Sequence, residues 1–269
     1  MMKKILVYNL LVISSFSLSS CGGGKKEGPS NKDVPIPEMK IEQVAEMTQT
    51  EVTFPSADGL EISAILYQID SAAPVIVLCH QAGFNKYEYA EIAPKLCKMG
   101  FTCLAIDQRS GGEMDGHENE TYLRAKEKKL PTEYLNALAD IIAGVNYGYA
   151  LTNKPVILWG SSYSSSLALK IAAVNPNVKS VIAFSPGEYF PDKHYIGNSI
   201  KGLSKPMFVT CTEKESGAAG KLMDVTDQSK LTFFYPESKG THGSKALWSS
   251  DPANAVYWAA VTEFLNTQK

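Results

Sequence analysis

Histidine is scarce in this chain. His80, His117, His194 and His242 are all that 269 residues contain. There is no HExxH pattern, and no two of the five cysteines are spaced as CxxC, so the common zinc-site spacings are excluded. Net positive charge is missing as well. The 26 basic residues face 28 acidic ones, for a formal net charge of −2. Nucleic-acid affinity is carried by neutralised phosphates, so nucleic acid is not an expected partner. The densest basic cluster is Arg124, Lys126, Lys128 and Lys129. Glu118, Glu120 and Glu127 precede it or interleave with it, as on a solvated face. Glycine is sparse where a dinucleotide site would need it. After the apolar run 74–79, the loop His80-Gln81-Ala82-Gly83-Phe84 carries one glycine, where the fingerprint has three. Tyr122 and Lys126 match Y-x-x-x-K, but they lie in the mixed-charge stretch, away from any expected strand end. No cofactor is expected.

The N-terminus has its own character. Lys3 and Lys4 precede an apolar stretch, Ile5 to Leu18, which contains Asn9 and several serines. It falls short of the ~20 apolar residues a membrane span needs, and residues 1–20 read as a signal peptide. Leu18-Ser19-Ser20-Cys21-Gly22 resembles a bacterial lipobox. That resemblance implies cleavage before Cys21, lipid on its thiol, and a protein held to a membrane of the bacterial cell envelope. Residues 21–47 are then the lipidated cysteine and a flexible tether rich in glycine, lysine, serine and proline. Residues 48–269, about 220 in number, suit one domain with a sizeable core. Cys79, Cys97, Cys103 and Cys211 are expected as buried free thiols. Cys97 and Cys103 are the pair closest in sequence.

Within that domain the patterning alternates. Residues 50–54 and 61–68 alternate apolar and polar around Ala57-Asp58-Gly59, which predicts a β-hairpin. The continuous apolar run at 74–79 predicts a buried parallel strand and 101–106 the next buried strand, while 155–159, 178–184, 206–211 and 231–235 predict further strands. Helical spacing covers 87–99, interrupted by Pro94, and also 131–147, 162–174 and 252–265. A hairpin followed by alternating strand and helix implies an α/β fold. Its sheet is mostly parallel, with helices on both faces and an antiparallel edge, and its ligands lie at the carboxyl ends of the strands.

One such end is the most informative. Strand 155–159 runs into Gly160-Ser161-Ser162-Tyr163-Ser164 and then into a helix. Small residues around a strand-to-helix turn let it close tightly and present the Ser162 oxygen in front of a helix N-terminus. The alternative is an ordinary βα loop with Ser162 as a helix cap. The segment resembles the G-x-S-x-G nucleophile elbow of the α/β-hydrolase family, with Ser164 in the place of the second glycine. The resemblance extends over about 50–267 and is closest to small, lidless members such as dienelactone hydrolase. That branch commonly uses cysteine where this chain has Ser162.

The family resemblance implies the remaining site residues. His242, in the loop after the last strand between Gly240 and Gly243, stands where the family places its base. The acid is expected after strand 206–211. Thr212-Glu213-Lys214-Glu215 puts Glu215 in that place, with Glu213 and Asp224 as alternatives. The chain order Ser162, Glu215, His242 is the family's order. The oxyanion donors would be the backbone N–H of Tyr163 and one from the His80–Phe84 loop, Ala82 or Gln81. His80 is expected to be structural. So are Asp107 and Arg109, which would bond loop backbone or each other. Only Ser185 to Lys205 lies between two of the strands, too little for a large lid. Tyr163, Tyr189, Phe190, His194 and Tyr195 are candidates to line an open cleft, which the loop from Gly111 to Leu130 could overhang. The expected activity is hydrolysis of a small carboxylic ester through an acyl-Ser162 intermediate. The rival is a hydrolase-like lipoprotein that binds a ligand or partner without turnover.

Overall fold

The computed structural model describes residues 46–237 and 240–269. The segment expected as a signal peptide, Cys21 and most of the expected tether lie outside them. Strands β1 (Thr48–Pro55) and β2 (Glu61–Gln68) form the expected hairpin, paired antiparallel from Thr48↔Gln68 to Pro55↔Glu61. Then come β3 (Val75–Cys79), α1 (Ala93–Lys98), β4 (Thr102–Ile106), α2 (Glu120–Glu127), α3 (Ala137–Thr152), β5 (Val156–Ser161) and α4 (Tyr163–Val174). β6 (Val178–Phe184), α5 (Tyr195–Ser199), β7 (Met207–Thr210), α6 (Glu213–Met223), β8 (Leu231–Phe234) and α7 (Asn254–Asn266) complete the described chain. The strands form one eight-stranded sheet in the order β1-β2-β4-β3-β5-β6-β7-β8. β2 meets β4 antiparallel, and every pairing from β4 to β8 is parallel.

Burial explains the apolar runs. Every residue of β3, β4 and β5 is buried, because helices cover both faces of these central strands. On one face Val77, Leu104 and Leu158 pack under Ile141 and Val145 of α3 and Leu167 and Ile171 of α4. On the other, Ile76, Leu78 and Trp159 pack under Leu96 of α1 and Tyr257 and Val261 of α7. Trp159 stacks on Phe184 with centroids 5.1 Å apart, so β5 and β6 are locked together just before both strands reach the site.

The structure corrects several boundaries. The helix expected over 87–99 is a 3₁₀ turn, Lys86–Tyr89, followed by α1, with Pro94 in its first turn. Asn85 caps the 3₁₀ turn by accepting the Tyr87 N–H, and Pro94 blocks any helix running through from the turn. The helix expected from Pro131 begins at Ala137. It ends at Asn153, whose φ of 53° closes it in the left-handed region. α2 occupies part of what reads as the loop 111–130, capped by the Asn119 side chain on the Tyr122 N–H at 2.8 Å. α6 was not anticipated either. Cys79, Cys97, Cys103 and Cys211 are buried free thiols. No helix among the described residues is long and apolar enough to cross a membrane.

Candidate active site

The carboxyl ends of β3, β5, β6 and β7 and the loop after β8 converge on Ser162. At β5 the chain turns within one residue, and Ser162 takes φ 58° and ψ −126°, a strained conformation that L-residues rarely hold. Its N–H is anchored on the Phe184 carbonyl at 2.8 Å. The turn needs glycine at 160: a Cβ there would lie 2.4 Å from Ser165 Cα and 2.5 Å from the Ser164 carbonyl oxygen. It does not need glycine at 164. The Ser164 hydroxyl accepts the Ser161 N–H at 2.9 Å and lies 2.9 Å from the Cys79 carbonyl, so it ties the turn to the end of β3. The Ser162 side chain does not cap α4, contrary to the helix-cap alternative.

The structure brings Ser162, His242 and Glu215 into one line. The Ser162 hydroxyl donates to His242 Nε2 at 2.8 Å, and His242 Nδ1 donates to Glu215 Oε1 in a short contact. Glu215 is fixed from its other side. Its Oε2 accepts the Ser185 hydroxyl at 2.8 Å and the Thr212 N–H at 3.0 Å. The latter bond is half of a capping box: Thr212 caps α6 on the Glu215 N–H, and Glu215 returns its carboxylate to Thr212. Burial pushes the Glu215 carboxyl up. The hydrogen bonds from His242, Thr212 and Ser185 outweigh it and hold the group at about 2, so it is ionised at neutral pH. An ionised partner on Nδ1 keeps the proton there and leaves Nε2 as the acceptor facing Ser162. The alternatives Glu213 and Asp224 are both exposed, at the first turn and C-cap of α6, and neither bonds His242.

Of the backbone N–H groups expected as oxyanion donors, those of Tyr163 and Ala82 are unengaged among the described residues. Tyr163 is the first residue of α4, so its N–H has no partner within the helix. In the β3 loop the Gln81 N–H is spent on Glu88 Oε2 at 2.7 Å, which corrects Gln81 as a donor. The Ala82 N–H makes no hydrogen bond among the described residues. His80, with no exposed surface, holds the loop: its Nδ1–H donates to the Gln81 carbonyl at 2.8 Å and its Nε2 accepts the Gln108 N–H at 2.9 Å. Burial pushes its imidazole down to about 4, so the ring is neutral and structural.

Asp107 and Arg109 do not meet each other. Asp107 accepts the Lys86 N–H at 2.8 Å and the Lys86 ammonium at 3.0 Å. Arg109 bridges Asp140 and Asp58, at 2.7 and 2.6 Å. Of the cleft aromatics, Tyr163 and Phe190 belong to the core. Tyr163 stacks on Tyr134 at 4.5 Å and its hydroxyl bonds Ser110 and Gln108, while Phe190 packs edge-on against Tyr195 at 5.4 Å. Tyr189 is half-buried and donates to the Ser185 carbonyl at 2.7 Å, while His194 is exposed. Sequence reasoning missed Ser185, Ser161 and Glu88. Ser185 stands at the end of β6 with φ 55°, and only its strand-end position marked it. No group of three or more metal-ligating side chains is gathered among the described residues.

Comparison with known proteins agrees with this geometry at the level of the fold. Residues 74–262 match the family model described as the alpha/beta hydrolase fold. The chain is 30% identical over 173 residues to thiohydrolase apmlB of Arthrinium phaeospermum, covering 63% of this chain and 52% of that protein. It spans about half the length of the curated relatives it matches. Among solved structures, an esterase of Pyrococcus furiosus superposes with a TM-score of 0.62 at 16% identity, covering 82% of this chain and 93% of that one. A dienelactone hydrolase of Anabaena variabilis does so with a TM-score of 0.63 at 14% identity, covering 82% and 98%. At these identities the structural likenesses establish the fold.

Proposed function

The chain belongs to the alpha/beta hydrolase fold family, and on that premise we propose that it is a serine hydrolase cleaving a small carboxylic ester through an acyl-Ser162 intermediate. The observation that carries this reading is the unbroken line from Ser162 Oγ through His242 to Glu215, with 2.8 Å between serine and imidazole. A free serine hydroxyl is a poor nucleophile at neutral pH, and this arrangement supplies its base. Oγ attacks the ester carbonyl as His242 Nε2 takes its proton. Glu215 holds the imidazolium that forms. The carbonyl oxygen becomes an oxyanion held by the Ala82 and Tyr163 N–H groups. The tetrahedral intermediate collapses, His242 protonates the departing alcohol, and Ser162 keeps the acyl group. Water, deprotonated by the same nitrogen, then releases the acid.

The relative at 30% identity is named a thiohydrolase, which favours thioesters as a second substrate class. The same acyl-serine serves both, since only the leaving group changes. Turnover of p-nitrophenyl acetate against an acetyl thioester, in wild type and Ser162→Ala, tests the reading. Both substrates should be hydrolysed, and the variant should lose about 10⁴-fold or more in kcat. Equal rates in the two proteins would sink the proposal in favour of a binding protein without turnover. We further propose that the lipobox-like segment ending at Cys21 exports the chain and anchors it in the bacterial cell envelope. Detergent-phase partition that Cys21→Ala abolishes would support this, and partition unchanged by the substitution would reject it.

A further inference from the structure

A carboxylate to which the hydrolytic reading assigns no step lies directly behind the site. Glu88, in the 3₁₀ turn Lys86–Tyr89, has no exposed surface. Its Oε2 accepts the Gln81 N–H at 2.7 Å, its Oε1 accepts the Ser161 hydroxyl at 2.7 Å, and Gln81 Nε2 approaches Oε1 at 3.4 Å. The Ser161 oxygen in turn accepts the Ser244 N–H at 2.8 Å. These partners are the neighbours of the reacting groups: Gln81 precedes Ala82, Ser161 precedes Ser162, and Ser244 lies two residues beyond His242. One side chain therefore joins the oxyanion loop, the serine turn and the histidine loop.

The chemistry of its surroundings specifies its charge state. Every hydrogen bond to Glu88 is donated to it, by the Gln81 N–H, the Ser161 hydroxyl and the Gln81 amide, so the cradle as built suits a carboxylate. A proton on Oε2 would confront the Gln81 N–H, which cannot accept, and break that link; a proton on Oε1 would force the Ser161 hydroxyl to turn from donor to acceptor. Yet Glu88 forms no ion pair among the described residues. The titratable and charged groups that face it are His242 and Lys245 from the loop and turn after β8, Cys79 from β3, and its neighbour Tyr89. Burial pushes its carboxyl up to about 7, against the pull of the Gln81 N–H, the Ser161 hydroxyl, Lys245 and His242.

We propose that Glu88 is a positioning residue of this site: as a carboxylate it holds Gln81 and Ser161, and through them the Ala82 N–H, Ser162 and the His242 loop, and on protonation it lets them go. The inference rests on the hydrolytic reading and adds a pH control to it. The acid side of the kcat/KM profile then carries the ionisation of Glu88 in addition to the one that a general-base mechanism supplies.

The test is the hydrolysis of p-nitrophenyl acetate by wild type, Glu88→Gln, Ser161→Ala and Ser162→Ala, from about pH 5 to about pH 9, a range that brackets a carboxyl raised to about 7. Wild type should show an acid limb steeper than one proton. Glu88→Gln should lower kcat about 10- to 100-fold, less than deletion of the nucleophile, with KM little changed and the limb reduced to one proton. Ser161→Ala cuts the link to Ser244 while leaving the carboxylate. It should lower kcat in the same direction with the two-proton limb kept, and it decides the matter if Glu88→Gln does not fold. A Glu88→Gln protein with wild-type kcat, or with lowered kcat and an unchanged limb, overturns the proposal. Wild type no faster than Ser162→Ala would instead defeat the hydrolytic reading, and the proposal with it.

Discussion

Ser185 donates its hydroxyl to Glu215 Oε2 at 2.8 Å, on the side of the carboxylate away from His242. The Ser185 hydroxyl oxygen also accepts the Gly243 N–H at 3.0 Å. One buried side chain thus fixes Glu215 and the residue next to His242, and it does so from a left-handed backbone with φ 55°. Strain at a residue that links two parts of a site is common where geometry matters more than stability.

Ser185→Ala should leave the Gly243 N–H unpaired and the Glu215 carboxylate short of one donor. A loss of about 1–3 kcal/mol in stability is expected, with kcat down roughly 10- to 100-fold through misplacement of the acid and base. Ser185→Gly relieves the backbone strain while removing the same hydroxyl. It should be about 1 kcal/mol more stable than Ser185→Ala and equally slow. Urea melts and ester turnover on the two variants check this. A glycine variant with wild-type turnover would mean that the hydroxyl bridge does not matter.

The depressed Glu215 carboxyl has a consequence for acid stability. With its folded value at about 2 against an ordinary 4.5, the group binds protons less readily in the native state than in the unfolded one. Its contribution to stability is therefore complete above about pH 4.5 and disappears as pH falls towards 2. Glu215→Gln carries no such titration. The stability gap between wild type and Glu215→Gln should shrink between neutral pH and about pH 3. A gap that stays constant would show that His242, Thr212 and Ser185 do not favour the ionised form.

The serine turn makes opposite demands at its two small positions. Gly160→Ala places a methyl 2.4 Å from Ser165 Cα, where only backbone can yield, so the variant should lose about 3 kcal/mol or more or fail to fold. Ser164→Gly restores the family's usual residue yet removes the bonds to Ser161 N–H and the Cys79 carbonyl. It should cost about 1–2 kcal/mol and leave a reactive Ser162. Thermal melts with turnover assays distinguish the cases. A stabilising Ser164→Gly would mean that the hydroxyl is tolerated and not used.

These contrasts mark what the sequence could reveal. The apolar runs of β3, β4 and β5 were legible because strands covered on both faces have no polar side to confuse the pattern. Ser162 was legible because a tight turn restricts residue size on both sides of it. α6 was not, although Thr212-x-x-Glu215 is a capping-box spacing: the same four residues also matched an acid-bearing loop, and Glu215 serves both roles at once. α2 lacked an apolar stripe, since Glu120, Arg124, Lys126 and Glu127 dominate it and only Thr121 and Ala125 are buried. Ser185 and Glu88 carried no local signal. Their importance comes from bonds spanning 30 residues to Glu215 and 73 to Ser161, which no spacing rule encodes.

Activation of Ser162 by His242 is tested most directly by reaction of residues 22–269 with a fluorophosphonate, read by intact mass and by the modified peptide. One adduct per folded chain is expected, located on Ser162, absent in Ser162→Ala and at least about 100-fold slower to form in His242→Ala. A folded wild-type protein that takes no label, or that labels equally well without His242, would contradict it.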